Sequence, residues 1–138
     1  MKALKTLLKL AARNLDTLRR ALGEKIAAQN VLEESVRALQ QSILAEQQTA
    51  AKDYEATRAY AGYALYAMER RKALAAQVAG VAAECDELRR LIAEAHVETR
   101  KFERLLELQD ARERAAADKR EAAELDEMAT QRAGRSAR

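Results

Sequence analysis

Apolar residues that recur at alternating steps of four and three constrain this chain more than any other feature of its sequence. Twelve positions follow this spacing in the first third of the chain, and all are apolar except Lys25 and Gln29. These positions, the first seam, are Leu4, Leu8, Ala11, Leu15, Leu18, Leu22, Lys25, Gln29, Leu32, Val36, Leu39 and Ile43. The spacing predicts a coiled coil, because it keeps one narrow apolar stripe facing a partner helix.

A second stripe with the same spacing follows in the second half of the chain and is interrupted by Thr99. Its positions, the second seam, are Leu74, Val78, Val81, Cys85, Leu88, Ile92, Ala95, Thr99, Phe102 and Leu106. Beyond Leu106 the spacing reaches Gln109 and Glu113. We therefore expect the surface that pairs with another helix to end there.

The composition favours helices and excludes most folds built from sheets. The 138 residues include no Pro, no Trp, one Phe and four Gly, whereas β-sheet folds need β-branched or aromatic strands separated by turn residues. Ala, Leu, Glu, Lys and Arg without Pro are typical of long helices. Hydrophobic residues make up 49% of the chain and are regularly spaced, which argues against disorder.

Between the two seams the apolar repeat lapses, and the chain is expected to fold back there. This segment contains Tyr54, Tyr60, Gly62, Tyr63 and Tyr66. If Ile43 lies beside Leu74, then Leu32 lies opposite Cys85 and the turn centres near residue 58. The prediction is an all-α fold, a long antiparallel two-helix coiled coil (an α-hairpin) with an overhanging C-terminal helix. One continuous helix that dimerises in parallel is the alternative.

We expect a single coiled-coil domain over residues 1–138. Its parts are a first helix at about 3–52, a turn at about 53–60, a second helix at about 61–130 and a frayed tail at 131–138. Residues 1–23 also have the basic, acid-poor composition of a mitochondrial presequence. The first seam continues through Ile43 without a change of phase, however, and this favours a helix of the folded chain.

Charge is mild overall but unevenly distributed. The formal net charge is +3, which is too small to indicate a nucleic-acid partner. Residues 1–25 carry seven Lys or Arg against two acids, a net of +5, whereas residues 82–113 carry nine acids against six bases, a net of −3. A single Cys forms no intramolecular disulfide, which fits a reducing compartment, and no apolar run approaches the roughly 20 residues of a membrane helix. We expect a cytoplasmic protein.

The sequence lacks the residue patterns of an enzyme, a metal site or a cofactor site. The one histidine, His96, falls off the seam, and Cys85 has no third ligand near it and His96. Because Cys85 is a seam position, we expect it to be a small buried side chain rather than a reactive thiol. There is no Gly-rich phosphate loop and no Ser/His/Asp set. We expect a non-enzymatic protein without cofactors.

Three features remain that could carry a function. The basic first helix could contact acidic protein, lipid headgroups or phosphates, or be a solvated coiled-coil face. The tyrosines near the turn could form an interface or simply cap the hairpin end. The stretch Lys119–Ala129 could dock on a partner or fray in solvent. Its apolar side is formed by Ala122, Leu125, Met128 and Ala129.

Four segments of the chain fit one known pattern. The first is the basic amphipathic helix near the start, and the second is the pair Tyr60 and Tyr63 at the opening of the second helix. The others are the segment Lys101–Leu105 and the closing segment Glu124–Ala129. Together these segments, which span nearly the whole chain, resemble the FliJ family of bacterial flagellar export proteins.

The resemblance implies an antiparallel coiled coil similar to the two-helix stalk of the rotary ATP synthase γ subunit. It implies three partners: the hexameric flagellar export ATPase, the cytoplasmic domain of a membrane export gate protein, and export chaperones. The implied location is the cytoplasm, with peripheral association with the inner membrane at the flagellar base. The related stalks of virulence type III secretion share this architecture. A scaffold or membrane-surface coiled coil without an ATPase partner is the further alternative.

The resemblance also implies two sets of contact residues. The ATPase-facing surface would comprise Arg13, Arg19 and Arg20 on the first helix with Arg114, Arg120 and Leu125 on the overhang. The gate-binding stripe would comprise Tyr60, Tyr63, Ala67, Arg70 and Leu74. Arg70 departs from the small residue that the family has there, and Leu74 is also the first position of the second seam.

Overall fold

High helix propensity along the chain, without an interrupting Pro, produces two long helices. The computed structural model describes residues 2–136, and within that range the elements are α1 (Lys2–Ala50) and α2 (Tyr54–Ser136), with no strand. The two helices pack against each other as a helical hairpin, so the all-α fold predicted from the sequence is confirmed.

Burial in the structure follows both seams. Every position of the first and the second seam is buried or half-buried. Leu15, Leu74 and Cys85 are among the most buried. Thr99, the polar position of the second seam, is also buried, and its hydroxyl donates a hydrogen bond of 2.9 Å to the carbonyl of Ala95. Because that bond satisfies the hydroxyl within α2 itself, a Thr fits among apolar side chains.

The described residues divide into two compact units. The hairpin unit is Asn14–Glu94, which holds the turn and the adjoining parts of both helices. The terminal unit combines α1 up to Arg13 with α2 from Ala95 onward. In the terminal unit the last half-buried side chain is Gln109, and all residues from 110 to 136 are exposed. Exposure on all sides is what a helix that extends beyond its partner shows.

The turn between the helices is short and is stabilised by side chains. It spans 51–53, so α2 begins at Tyr54 rather than near residue 61. Asp53 is the N-cap of α2, since its Oδ1 accepts a hydrogen bond of 2.7 Å from the Ala56 N–H. The Thr57 hydroxyl lies 2.6 Å from the Ala50 carbonyl and donates a hydrogen bond to this end of α1.

The segment 131–138, expected to be a frayed tail, is helical as far as Ser136. Residues 137–138 lie outside the described residues.

The position of the turn corrects the register expected from the sequence. A turn near residue 58 would place Ser42 opposite a residue well beyond Tyr63, but the Tyr63 hydroxyl bonds the Ser42 Oγ at 2.6 Å. Cys85 likewise lies beside Gln29, one turn from the expected Leu32, with 4.0 Å between Sγ and Oε1. The expected neighbours Ile43 and Leu74 do line one cavity, of about 360 Å³.

The expectation that the apolar repeat lapses before Leu74 was wrong, and this explains the error in register. Tyr60, Ala64 and Ala67 are buried or half-buried, and they continue the spacing of the second seam back towards the turn, with Tyr63 half-buried beside them. Arg71 is the exposed position in this extension. Gly62 is therefore a helical residue rather than a turn residue, and its φ lies outside the left-handed region.

Candidate functional site

Three tyrosines lie side by side along the first turns of α2. The ring centroids of Tyr60 and Tyr63 are 6.4 Å apart, and those of Tyr63 and Tyr66 are 6.2 Å apart. Spacing by three residues makes them neighbours on the helix surface. The hydroxyl of the central ring donates its hydrogen bond to Ser42 of α1. The row of rings therefore joins the two helices close to the turn.

A cavity of about 320 Å³ opens beside these rings in the hairpin unit. It is lined by Ser35, Ala38, Leu39, Ser42, Tyr63, Tyr66, Arg70 and Leu74. Small side chains on α1 leave the space that the aromatic rings of α2 border. Arg70 is the charged residue of this lining, and its guanidinium can donate hydrogen bonds to a carboxylate. Aromatic and arginine side chains at one surface are typical of sites that bind another protein.

The five residues of the gate-binding stripe differ in how exposed they are. Ala67 is 3% exposed and Leu74 is 2% exposed, because both are packed into the seam. Tyr60 and Tyr63 are half-buried, and Arg70 is exposed. On the folded hairpin, a partner that reaches this stripe contacts Arg70 and the outer edges of the rings.

A second groove between the same helices is more apolar. It consists of two cavities of about 360 and 240 Å³ that share Ile43 and Arg71 as lining residues. The alanines along it are Ala64, Ala67, Ala75 and Ala79. Alanine is too short to fill the space beside the seam, so a groove remains. The spacing of the seams alone does not predict this groove, although alanines beside a seam could have indicated it.

The residues expected to face an ATPase are all exposed. On α1 these are Arg13, Arg19 and Arg20, and on α2 they are Arg114, Arg120 and Leu125. Arg13 belongs to the terminal unit together with the three residues of α2, whereas Arg19 and Arg20 belong to the hairpin unit. Leu125 is 61% exposed, which leaves its side chain accessible to a partner.

Ion pairs in the hairpin unit act both between the helices and along α2. Lys25, a polar position of the first seam, pairs with Glu84 of the other helix, and the hydrogen bond to this carboxylate raises the lysine's pKa. Along α2, Arg90 pairs with both Glu87 and Glu94. The hydrogen bond from Arg90 lowers the pKa of Glu87. The pair between the helices shows why a lysine is tolerated in the seam.

The described residues offer no arrangement for metal chemistry. Within 2–136, no group of three or more His, Cys, Asp or Glu side chains is placed to hold a metal ion. Cys85 is 1% exposed, in agreement with a buried seam residue. His96 is exposed and lies off the seam. In the same range, neither helix has an apolar stretch long enough to cross a membrane.

Comparison with known proteins gives one informative result. Neither the curated proteins nor the solved structures compared with the chain include a significant match. The sequence model of the family described as flagellar FliJ protein matches residues 1–138. That match covers the first seam, the tyrosines at the start of α2 and the exposed end of α2 together. The chain therefore belongs to the FliJ family of flagellar export proteins.

Proposed function

We propose that this component of the flagellar export apparatus is a non-enzymatic stalk that binds and stimulates the hexameric export ATPase. The observation that carries the proposal is a family match over the whole chain on a fold of two long helices. A stalk has to remain stiff while a partner ring turns over substrate. Helices of 49 and 83 residues without Pro meet that requirement, because Pro is the usual cause of a sharp kink.

The ATPase contact is assigned to exposed basic side chains of α1, with the exposed end of α2 as a second surface. Arg13, Arg19 and Arg20 are exposed on α1, and Leu125 is an exposed large apolar side chain at the end of α2. Charged contacts of modest strength suit a stalk, because they orient a partner without one large apolar patch that would lock it in place.

The gate contact is assigned to the tyrosine row and its cavity. Tyr63 is held by Ser42, and Arg70 is the exposed cation of the lining. The cytoplasmic domain of the membrane export gate would bind here, and export chaperones are the third class of partner. This assignment places the protein in the cytoplasm, at the inner face of the inner membrane at the flagellar base.

The test of the ATPase contact is the hydrolysis rate of the purified flagellar export ATPase from the same genome. We expect the wild-type chain to raise the rate, and the triple variant Arg13→Glu, Arg19→Glu, Arg20→Glu to lose that effect while its helical circular dichroism is unchanged. The matched control makes the same charge change near the turn, at Lys52, Arg58 and Lys72, which are exposed. Stimulation that survives the first variant would remove the basic arm as the contact.

The gate contact is tested separately by binding to the purified cytoplasmic domain of the gate protein. Arg70→Glu reverses the charge of the cavity without touching the seam, and we expect it to weaken binding by about tenfold or more. Lys72→Glu is the matched control, because it changes the same charge two residues away. Equal binding by both variants would place the gate contact elsewhere. A chain that binds neither protein would be a scaffold coiled coil, or would serve a virulence secretion system.

A further inference from the structure

The second groove of the hairpin unit combines an apolar lining with exposed apolar side chains. Half-buried seam residues such as Ile43 and Val78 line its larger cavity. Met68 lines the smaller cavity and is more than half exposed. A groove between two helices with an adaptable methionine beside it is a surface into which the apolar face of another helix can pack.

Two exposed leucines lie on the same side of the helix pair as this groove. Residues that follow a seam position by one, such as Gln40 on α1 and Ala75 on α2, line the second groove. Leu44 and Leu65 follow the seam spacing in the same way, and both are more than half exposed. One step along a helix is a rotation of about 100°, which turns both helices of an antiparallel pair towards the same side. The leucines therefore enlarge the apolar surface around the groove.

The charge of the second groove is positive. Among the described residues that line its two cavities, Arg71 is the charged one, and it lines both. Arg37 and Lys72 follow seam positions by one residue and lie on the same side. The acids of the same stretch, Glu46 and Glu69, are not part of either lining. A helix that fits this groove therefore has an apolar side with acids next to it.

The exposed end of α2 contains a segment with these properties. Residues 121–129, the acidic segment, contain four acids and no base. Leu125 and Met128 lie on one side of it, and both are more than half exposed. Glu121 precedes Leu125 by four residues and Glu124 precedes Met128 by four, so each acid lies next to an apolar side chain. Glu124 and Met128 also line one shallow cavity together.

The groove and the acidic segment also match in length and relief. Along α2 the groove extends from Ala64 to Ala79, which is about 22 Å of helix, whereas the acidic segment is about 12 Å long. The alanines allow another helix to approach closely, and the cavities of about 360 and 240 Å³ leave room for its longer side chains. In such a contact the side chains of Leu125 and Met128 would enter the groove, and their neighbouring acids would lie near Arg71.

We propose that the second groove of one copy of the chain binds the acidic segment of a second copy. Both surfaces belong to α2, so a contact between them within one chain would require a break in that helix. Each copy carries both surfaces, and the contact can therefore close into a dimer or continue to larger species. The proposal goes beyond the function proposed above. Because the acidic segment contains Leu125, self-association and the proposed ATPase contact would compete.

The test is sedimentation equilibrium of the full chain alone, over a range of protein concentrations. We expect the average mass to rise above that of one chain, with a dissociation constant on the order of 10–100 μM, because the contact is small. Raising NaCl from about 0.05 to 0.5 M should weaken the association several-fold, since salt screens the attraction between Arg71 and the acids.

A charge exchange tests which surfaces meet. Arg71→Glu should weaken self-association by about tenfold or more, and so should Glu121→Lys, Glu124→Lys. A mixture of these two variants should associate again, because each groove then meets a segment of opposite charge. Arg70→Glu is the control, since Arg70 lines the cavity on the other side of the hairpin. It should leave self-association within about twofold of the wild type.

The apolar part of the contact is tested by Leu125→Gln, Met128→Gln, which should also weaken self-association by about tenfold. Its control, Val31→Gln, Val97→Gln, changes two residues that are exposed to a similar degree. The proposal is overturned if this variant associates like its control, or if the mixture of charge variants associates no better than either variant alone. A wild-type chain that has the mass of one copy at about 200 μM and low salt also overturns it. If such a chain still stimulates the ATPase, the proposed function stands without self-association.

Discussion

Residues 60–109 of α2 and residues 110–136 of the same helix differ in their surroundings. In the first region, seam positions such as Leu74 and Cys85 are almost completely buried. In the second, every residue is exposed, including Leu125 and Met128. Both regions are helical. Helix formation in this chain therefore does not depend on a covered seam, whereas the free energy of unfolding depends on it.

The difference follows from what stabilises a helix in water. Intrinsic propensity favours each Ala, Leu, Glu, Lys or Arg by a fraction of a kcal/mol, while burial of one Leu contributes roughly 1.5–3 kcal/mol. Residues 110–136 have the contribution of helix propensity but lack the contribution of burial. They are also the part of α2 with side chains on all faces open to a partner. Mutations in matched pairs, one in each region, test this comparison.

The largest expected effect is that of Leu74→Ala. Leu74 is 2% exposed in the hairpin unit, so the substitution removes buried methyl groups and leaves a cavity. We expect the free energy of unfolding to fall by about 2–5 kcal/mol. Urea titration followed by circular dichroism measures it.

The matched variant is Leu125→Ala in the exposed region. Because Leu125 is 61% exposed and Ala is the better helix former, the free energy of unfolding should change by less than about 0.5 kcal/mol. Similar losses for the two variants would mean that the end of α2 is covered in solution, by another copy or by another part of the chain.

The seams could be predicted from the sequence because burial in a two-helix fold follows the 3.5-residue spacing directly. Even the polar positions Lys25, Gln29 and Thr99 occupy the places that the spacing assigns to them. The exposed end of α2 was predicted for the same reason, since Glu113 lies where the next apolar residue would be needed. Gln109 is the last residue that the structure shows to be covered.

The turn could not be placed in this way, because it uses no Gly or Pro. It is formed by side-chain capping at Asp53 and Thr57, residues that occur in helices and turns alike. Tyr60, Ala64 and Ala67 continue the seam, but an Arg at position 71 hides the continuation in the sequence. Burial of two gate-stripe residues, Ala67 and Leu74, depends on the register that the turn sets. A family resemblance therefore could not reveal that these two residues are buried.

The next effect in size is expected at the N-cap of α2. Asp53→Ala removes the carboxylate that accepts the Ala56 N–H, and we expect the free energy of unfolding to fall by about 1 kcal/mol. Asp118→Ala is the control, because Asp118 lies inside the exposed part of α2 and caps nothing there. That variant should be neutral or slightly more helical. Thermal unfolding of both variants measures the two changes in stability. If Asp53→Ala has no effect on stability, Thr57 alone holds the turn.

A stabilising change of comparable or smaller size is expected at the glycines inside α2. A Cβ added at Gly80 meets no atom within 4 Å, so Gly80→Ala introduces the better helix former without a clash. We expect the free energy of unfolding to rise by about 0.5–1 kcal/mol. Gly134→Ala has the same open space but lies among the exposed residues. It should increase the helical signal and leave the main unfolding transition where it is.

The smallest expected effect concerns pH and the ion pair between the helices. Lys25 has its pKa raised above 10.5 by its hydrogen bond to Glu84, so the pair's contribution to stability is complete below 10.5 and is lost as pH rises through the folded-state pKa. Wild type should therefore lose more stability than Lys25→Gln between about pH 9.5 and 11.5.

The contribution of Glu87 to stability depends on pH in the opposite direction. Its pKa is lowered from 4.5 by Arg90, so its contribution is present above 4.5 and is lost as pH falls through the lower value. That pair lies within α2, whereas the lysine pair joins the helices, so alkaline titration reports on the contact between them. All four side chains are largely exposed, and about 1 M NaCl should reduce both differences. A stability difference between wild type and Lys25→Gln that is the same at every pH and remains in this salt would show that Lys25 stabilises the seam through its aliphatic stem rather than through its charge.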